Sequence, residues 1–330
     1  MIFEKLFFCR SLILLLAFSQ LSIVIKAQAE TVQVEAQVSA STQPTAQATP
    51  QEEQTLLSAV KNNDNINACA APDFPKKYRR SRLLQAEFLR TRGWACLNSG
   101  NIEKAEKDLK SALKQRASES KALYGLAKIY TIKLDLPQAL KLFEEADWFF
   151  DPELDNSIQF KLDFAELCLR QGNWAGQETL LREALKLDQN NLNAKLALAL
   201  NLIATGRSAE AKTYLVSFPE QNLDAQLALA TALINSGYSE INDTDGQEAE
   251  LILNKLEQKK FNPLETTILR IRGKMRQAKD SEALPLAEAA ILTYPTDQRF
   301  KDLLTQIKIN LEALKNIQEQ RDYSATASLR

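Results

Sequence analysis

Between Ala86 and Gln221 the apolar positions return at a constant stride. Gly100 is followed by Ala105, Leu109 and Ala112, and 34 positions on Ala139, Phe143 and Ala146 repeat that trio. After a four-residue offset come Gly172, Leu181 and Ala184. Gly206 stands 34 positions past Gly172, followed by Ala211 and Leu215. That stride is the length of one helix–turn–helix unit. Each unit should hold a first helix with a small residue on its apolar face, a turn, and a second helix built on Ala, a bulky residue and Ala. One such pair cannot bury its own face, so neighbours must stack. The predicted fold is all-α, an α-solenoid of stacked helix–turn–helix repeats.

The residue types in this pattern resemble the tetratricopeptide repeat (TPR) family. In that family's scheme helix A carries large, large, small and aromatic residues, and helix B carries Ala, aromatic, Ala and a closing Pro. The second unit matches most fully, with Leu123, Leu126, Ala127, Tyr130, Ala139, Phe143, Ala146 and, one place late, Pro152. The first offers Leu89, Gly93, Cys96, Ala105, Leu109 and Ala112 but lacks the Pro. The third has Phe164, Ala165, Cys168, Gly172, Leu181 and Ala184, and the fourth Leu198, Ala199, Leu202, Gly206, Ala211 and Leu215. The fifth keeps Leu229, Ala230, Leu233 and Gly237 and carries a polar insertion from Tyr238 to Gly246. The sixth is sparse in helix A, Pro263 to Ala278, but holds Ala283, Ala287, Ala290 and Pro295 in helix B. The resemblance spans residues 86–297, five or six units with the last two degenerate.

Physics accounts for these residue types. Small residues let two helix backbones approach to about 8–10 Å. Glycine at the helix A end permits a left-handed cap where the chain reverses. Pro stops helix B because it has no backbone N–H to donate.

The resemblance also implies a concave groove, lined by helix A faces, that holds an extended or helical peptide. Positions two, five, nine, twelve and thirteen of each unit point into it. They include Arg90, Trp94, Asn98, Lys121, Tyr124, Lys128, Gln159, Leu162, Glu166 and Arg170, then Leu196, Leu200, Ile203, Leu227, Thr231 and Ile234. One end should be cationic and aromatic, the other apolar. The expected partner-binding residues are Arg90, Trp94, Lys121, Tyr124, Lys128, Glu166 and Arg170, since Trp, Tyr and Arg carry most interface energy. The carboxylate-clamp subtype of the family has Lys and Asn where Arg90 and Trp94 stand, so binding of chaperone tails does not carry over.

Outside the repeats the pattern changes. Residues 1–29 have the form of a secretory leader: Lys5 and Arg10, an apolar run from Ser11 to Ile25, and Ala27-Gln28-Ala29 before Glu30. The leader is either cleaved there or kept as an anchor; cleavage is expected, with no membrane span left. Residues 30–50, rich in Gln, Ala and Thr, read as a disordered spacer. Residues 51–85 read as N-terminal helices and loop: a short helix over Gln51–Asn62, a loop to Pro75, then the basic run from Lys76 to Arg82. That run is either a patch for an anionic partner or the solvated start of a helix. Residues 298–321 should form a helix sealing the last repeat through Phe300, Leu304, Ile307, Leu311 and Leu314, and residues 322–330 a disordered tail. The cluster Asp147-Trp148-Phe149-Phe150-Asp151 is expected to pack into the core, with Trp148 and Phe150 covering the four-residue offset.

Composition narrows the chemistry. The chain has no histidine, which removes Ser-His-Asp and Cys-His catalysis and HExxH metal sites. No CxxC pair or Walker spacing occurs, so no metal, no cofactor and no enzymatic activity are expected. Removing the leader leaves 38 basic and 41 acidic residues, a net −3 that gives no basis for nucleic-acid binding. Cys69, Cys96 and Cys168 remain after the leader. Cys96 and Cys168 share one repeat position on helix A, where a buried small residue belongs, and Cys69 lies close enough in sequence to reach Cys96. In an exported protein these three cysteines allow one disulfide with one thiol left over, and Cys69–Cys96 is the candidate pair.

Together these readings describe an exported, periplasmic scaffold that binds a partner protein or peptide in its groove. Exported bacterial proteins that resemble it serve pilus assembly, cell-wall synthesis or polysaccharide export, which implies a role in envelope-complex assembly. The alternative partner is a glycan or peptidoglycan, met by Trp94, Tyr124 and the basic run.

Overall fold

A computed structural model of the protein describes residues 65–73, 82–236 and 244–328, with side chains to Arg321. The leader, the spacer, the helix expected over Gln51–Asn62 and the basic run up to Ser81 lie outside the described residues. The described residues are helices joined by short turns. They divide into two compact units, with the chain boundary between Ala194 and Lys195.

The N-terminal unit begins with α1 (Asn65–Ala70), where the sequence reading placed only loop. Three hairpins follow: α2 (Arg82–Asn98) with α3 (Ile102–Gln115), α4 (Ser120–Ile132) with α5 (Leu136–Trp148), and α7 (Ile158–Arg170) with α8 (Trp174–Leu187). The four-residue offset is a single helical turn, α6 (Pro152–Asp155). Asp151 caps it by accepting from the Glu153 and Leu154 amides, and Leu154 is its buried residue.

Each hairpin turn uses the same device. One residue past helix A takes a left-handed conformation: Gly100 at φ 83°, Leu134 at 62°, Gly172 at 72°. The next amide then reaches back to a carbonyl of the last turn, as in Asn101 to Cys96, Asp135 to Tyr130 and Asn173 to Cys168. The side chains of Asn101, Asp135 and Asn173 cap the following helix. Leu134 is the unfavourable member, because a left-handed residue with a Cβ costs about 1–2 kcal/mol. Its side chain is 72% exposed, so it returns little in packing. Leu134→Gly is therefore expected to stabilise the protein by about 0.5–1 kcal/mol, after glycine's extra unfolded-state freedom is counted. Gly172→Ala should do the reverse. Chemical denaturation of both variants checks the pair.

The core follows the stride. Ala105, Leu109, Ala112, Ala139, Ala146 and Ala184 are wholly buried, as are Phe143 and Leu181 to within 1%. Gly93 shows why a small residue stands on helix A: a Cβ there would lie 2.8 Å from Leu109 Cγ. Tyr124, Phe143, Phe160 and Phe164 form one aromatic cluster, with Phe143 and Phe164 stacked at 5.1 Å.

Charge also ties one hairpin to the next. Glu106 on α3 accepts from Lys110 at 2.6 Å and from the Tyr130 hydroxyl at 3.2 Å, and pairs with Lys133 past the end of α4. Hydrogen bonds from Lys110 and Lys133 hold its carboxyl at about 2, well below the usual 4.5. The unfolded chain thus binds the proton more readily than the native one. Stability from Glu106 is complete above pH 4.5 and lost as pH falls toward 2. Glu106→Gln should flatten the acid limb of a stability–pH curve in that window, which urea titrations at stepped pH would measure.

The first hairpin is sealed by the segment before it. Cys69 and Cys96 are joined by a disulfide, a link that contributes about 2–4 kcal/mol by restricting the unfolded chain. Arg92 of α2 is 4% exposed. It makes a bidentate pair with Asp108 of α3, 2.7 Å from Nε and 2.8 Å from Nη2. Its remaining N–H groups donate to the carbonyls of Ala71 and Pro72 and to Asp73. Burial opposes the guanidinium's charge, but its bonds to Asp108 and Asp73 outweigh that and hold its pKa above the ordinary value. Helix α1 forms because this fork and the disulfide bury Ala68 and Cys69 against α2.

The C-terminal unit contains most of α9 (Leu192–Ala204), then α10 (Ser208–Leu215), α11 (Leu223–Asn235), α12 (Thr244–Gln258), α13 (Pro263–Arg276), α14 (Asp280–Thr293) and α15 (Gln298–Ser328). Helix α12 takes in Thr244 to Gly246, which the polar-insertion reading had placed in the loop. Phe300, Leu303 and Ile307 of α15 pack on Ile268, Ile271, Ala283, Ala287 and Ala290, with Leu304 and Leu311 at the margin. Leu314, expected in the seal, is instead 49% exposed. The helix continues to Ser328 rather than ending near 321, since residues 312–328 contain no Gly or Pro to stop it.

Candidate partner-binding face

Helices α2, α4 and α7 are the helix A members of the three N-terminal hairpins, and their side chains meet one another in succession. Trp94 of α2 donates its indole N–H to the Lys121 carbonyl at 2.8 Å and lies 5.0 Å from the Tyr124 ring. Tyr124 of α4 donates its hydroxyl to Asp163 of α7 at 2.6 Å. Lys128 also reaches Asp163, at 2.7 Å, and Gln159 donates to the other carboxylate oxygen at 2.6 Å. Asp163 is therefore the hub joining α4 to α7. Burial, then the Asp163 charge, push the Tyr124 hydroxyl well above its ordinary pKa, so it remains a donor.

The other expected residues are paired around this hub. Arg90 lies 3.3 Å from Glu119, off-axis for a hydrogen bond, and 3.9 Å from Glu87. Lys121 pairs with Glu153 of α6, and Arg170 with Glu166 one turn earlier at 2.6 Å. The structure thus brings Trp94, Lys121, Tyr124 and Lys128 into one connected set, with Arg90 and the Glu166–Arg170 pair on the same three helices. Tyr124 differs from its expected role. It is 6% exposed, a strut beneath the face rather than a contact on it. At the expected apolar end, Leu227, Thr231, Ile234 and Ile203 are buried within the C-terminal unit, and only Leu196 and Leu200 are half-exposed. Helix α11, which carries Leu227, Thr231 and Ile234, packs on α13, where Ile234 approaches Gly273.

Asp163 escaped the sequence reading because it sits one place off the pattern. The counterpart of Tyr124 in the third unit is Leu162, 38 positions on, and Asp163 follows it. A Gln–Asp pair four apart on a helix was the available signal. The aromatic cluster after α5 also departs from expectation: Trp148 and Phe150 are each 84% exposed, and Leu154 rather than either ring buries the offset turn. Phe149 turns the other way and is half-buried, with its carbonyl accepting from Ser120 at 3.0 Å. The Cys168 thiol is buried, and burial with the nearby Glu144 charge raises it to about 11. Among the described residues, no group of three or more His, Cys, Asp or Glu could hold a metal ion, and no helix is long and apolar enough to cross a membrane.

Stacked hairpins with this stride define a helical-repeat protein. No known family's sequence model matches the chain, and no curated protein matches it. Solved structures do match. The C-terminal part of a TPR repeat-containing protein from Cytophaga hutchinsonii superposes with a TM-score of 0.51 at 13% identity, covering 77% of this chain and 99% of that one. PilF of Pseudomonas aeruginosa gives 0.49 at 17% identity, over 68% and 99%. A tetratricopeptide repeat protein from Parabacteroides merdae gives 0.46 at 16%, over 78% and 98%. The likeness to the Cytophaga structure is one of fold: helix–turn–helix hairpins of the tetratricopeptide-repeat kind.

Proposed function

We propose that the protein is a non-enzymatic scaffold, exported from the cytoplasm, that holds a protein or peptide partner against the helix A face of its N-terminal unit. The observation that carries this is the Asp163 hub. Polar and aromatic side chains on three successive helices are fixed by one another, so a partner meets a surface whose rotamers are already ordered. Lys121, Lys128, Glu166 and Arg170 keep part of their surface open and can exchange their present pairs for a partner's charges. The burial of Tyr124 removes one of the two rings a glycan would have stacked on, which favours a peptide.

Two features support export. The first 29 residues have the n-, h- and A-x-A regions of a secretory leader, and a disulfide such as Cys69–Cys96 persists in an oxidising compartment. An N-terminus at Glu30 in protein recovered from the cell envelope would support the reading; purely cytosolic, full-length protein would oppose it. For the face itself, Asp163→Ala unhooks Tyr124, Lys128 and Gln159. It should weaken affinity capture of the envelope partner roughly tenfold or more. Lys107→Ala, exposed on α3, should leave capture unchanged. Equal capture by wild type and both variants would overturn the assignment.

A further inference from the structure

The two rings left outside the core have a setting of their own. Trp148 ends α5, and Phe149 and Asp151 are extended, at φ −85° and −138°. Alternate side chains in extended chain face one way, so Trp148 and Phe150 share a side and Phe149 takes the other. Between Glu144 and Asp155 the sequence holds six carboxylates and no Lys or Arg. Three are met from outside that stretch: Glu145 by Lys141 at 3.8 Å, Asp147 by Lys161 at 2.9 Å and Glu153 by Lys121. Lys161 is itself shared with Glu183 at 3.0 Å. Asp151 caps α6, while Glu144 and Asp155 have no ion-pair partner among the described residues. Glu144 stands one helical turn before Trp148, on the same side of α5. Two open aromatic faces thus lie in a surface with excess negative charge.

We propose that this surface, distinct from the helix A face, docks a cationic peptide segment. Its Arg or Lys side chains lie over Trp148 and Phe150, and their charge is met by the surrounding carboxylates. A guanidinium is attracted to an aromatic face and to a carboxylate at once, so one residue type satisfies both features of the patch. A ring that is 84% exposed adds nothing to the core, so its removal leaves the fold intact.

The test is fluorescence anisotropy of a short labelled peptide of alternating Arg and Leu, titrated with the oxidised mature protein. A Glu-for-Arg peptide is the control. Binding is expected for the Arg peptide alone, weakening as salt rises. The double variant Trp148→Ala/Phe150→Ala should lose affinity roughly tenfold or more, while Leu292→Ala, an equally exposed apolar side chain on α14, leaves it unchanged. Unchanged affinity in the double variant, or equal binding of the Glu peptide, would overturn the proposal. So would a dimer in sedimentation that the double variant dissolves, which would give the surface to a second copy of the chain.

Discussion

Asp108→Ala is expected to lower the stability of the N-terminal unit by about 3–5 kcal/mol, because it strands a buried charge. Asp108 accepts two of the five N–H groups of Arg92, and both side chains are only 4% exposed. Without the carboxylate, the guanidinium keeps its bonds to Ala71, Pro72 and the exposed Asp73, but loses its one buried counter-charge. The cost comes from leaving Arg92 unpaired. Arg92→Leu combined with Asp108→Leu should therefore cost clearly less than Asp108→Ala alone, although two carbonyls lose their donor. All three tryptophans, Trp94, Trp148 and Trp174, lie in the N-terminal unit, so their fluorescence in urea follows this unit without the other. A loss below about 1 kcal/mol would mean that the pair is solvated in solution and worth no more than a surface ion pair.

Phe143→Ala is expected to cost a similar amount, about 3–5 kcal/mol, by opening a cavity at the centre of the aromatic cluster. Phe143 is 1% exposed and touches Tyr124, Phe160 and Phe164, the last in a stacked arrangement. Its loss reaches the proposed binding face, because Tyr124 leans on it while holding Asp163. Capture of the partner should thus fall in step with urea stability. Phe143→Leu, which refills most of the space, should restore much of both. Full stability in Phe143→Ala would contradict the packing described here.

Much of this architecture was legible in the residues because it rests on steric rules with few exceptions. A residue too small to clash had to stand at Gly93, and a left-handed cap had to follow helix A, which glycine supplies at Gly100 and Gly172. Leu134 takes the same conformation without glycine, so position in the stride located that turn where residue type could not. What stayed hidden depends on contacts between distant positions. Arg92 scores as a surface residue. Yet it stands four places after Phe88 and four before Cys96, in phase with the buried side of α2, which was the usable sign. Asp163 needed the four-residue offset to be resolved into a helical turn before it could be placed opposite Tyr124. Trp148 and Phe150 were misread because hydrophobicity alone assigned them to the core, while the extended chain after α5 turns only Phe149 inward.

The helix A side of the N-terminal unit is the side proposed to hold a partner. Photocrosslinking in living cells tests this, with a photoreactive residue placed in turn at Lys128 and at Lys107. Lys128 sits beside Asp163 on that side, and Lys107 is exposed on helix B of the first hairpin. A discrete crosslinked adduct is expected from position 128 and none from position 107. Adducts from position 107 alone, or equal yields from both, would contradict the assignment.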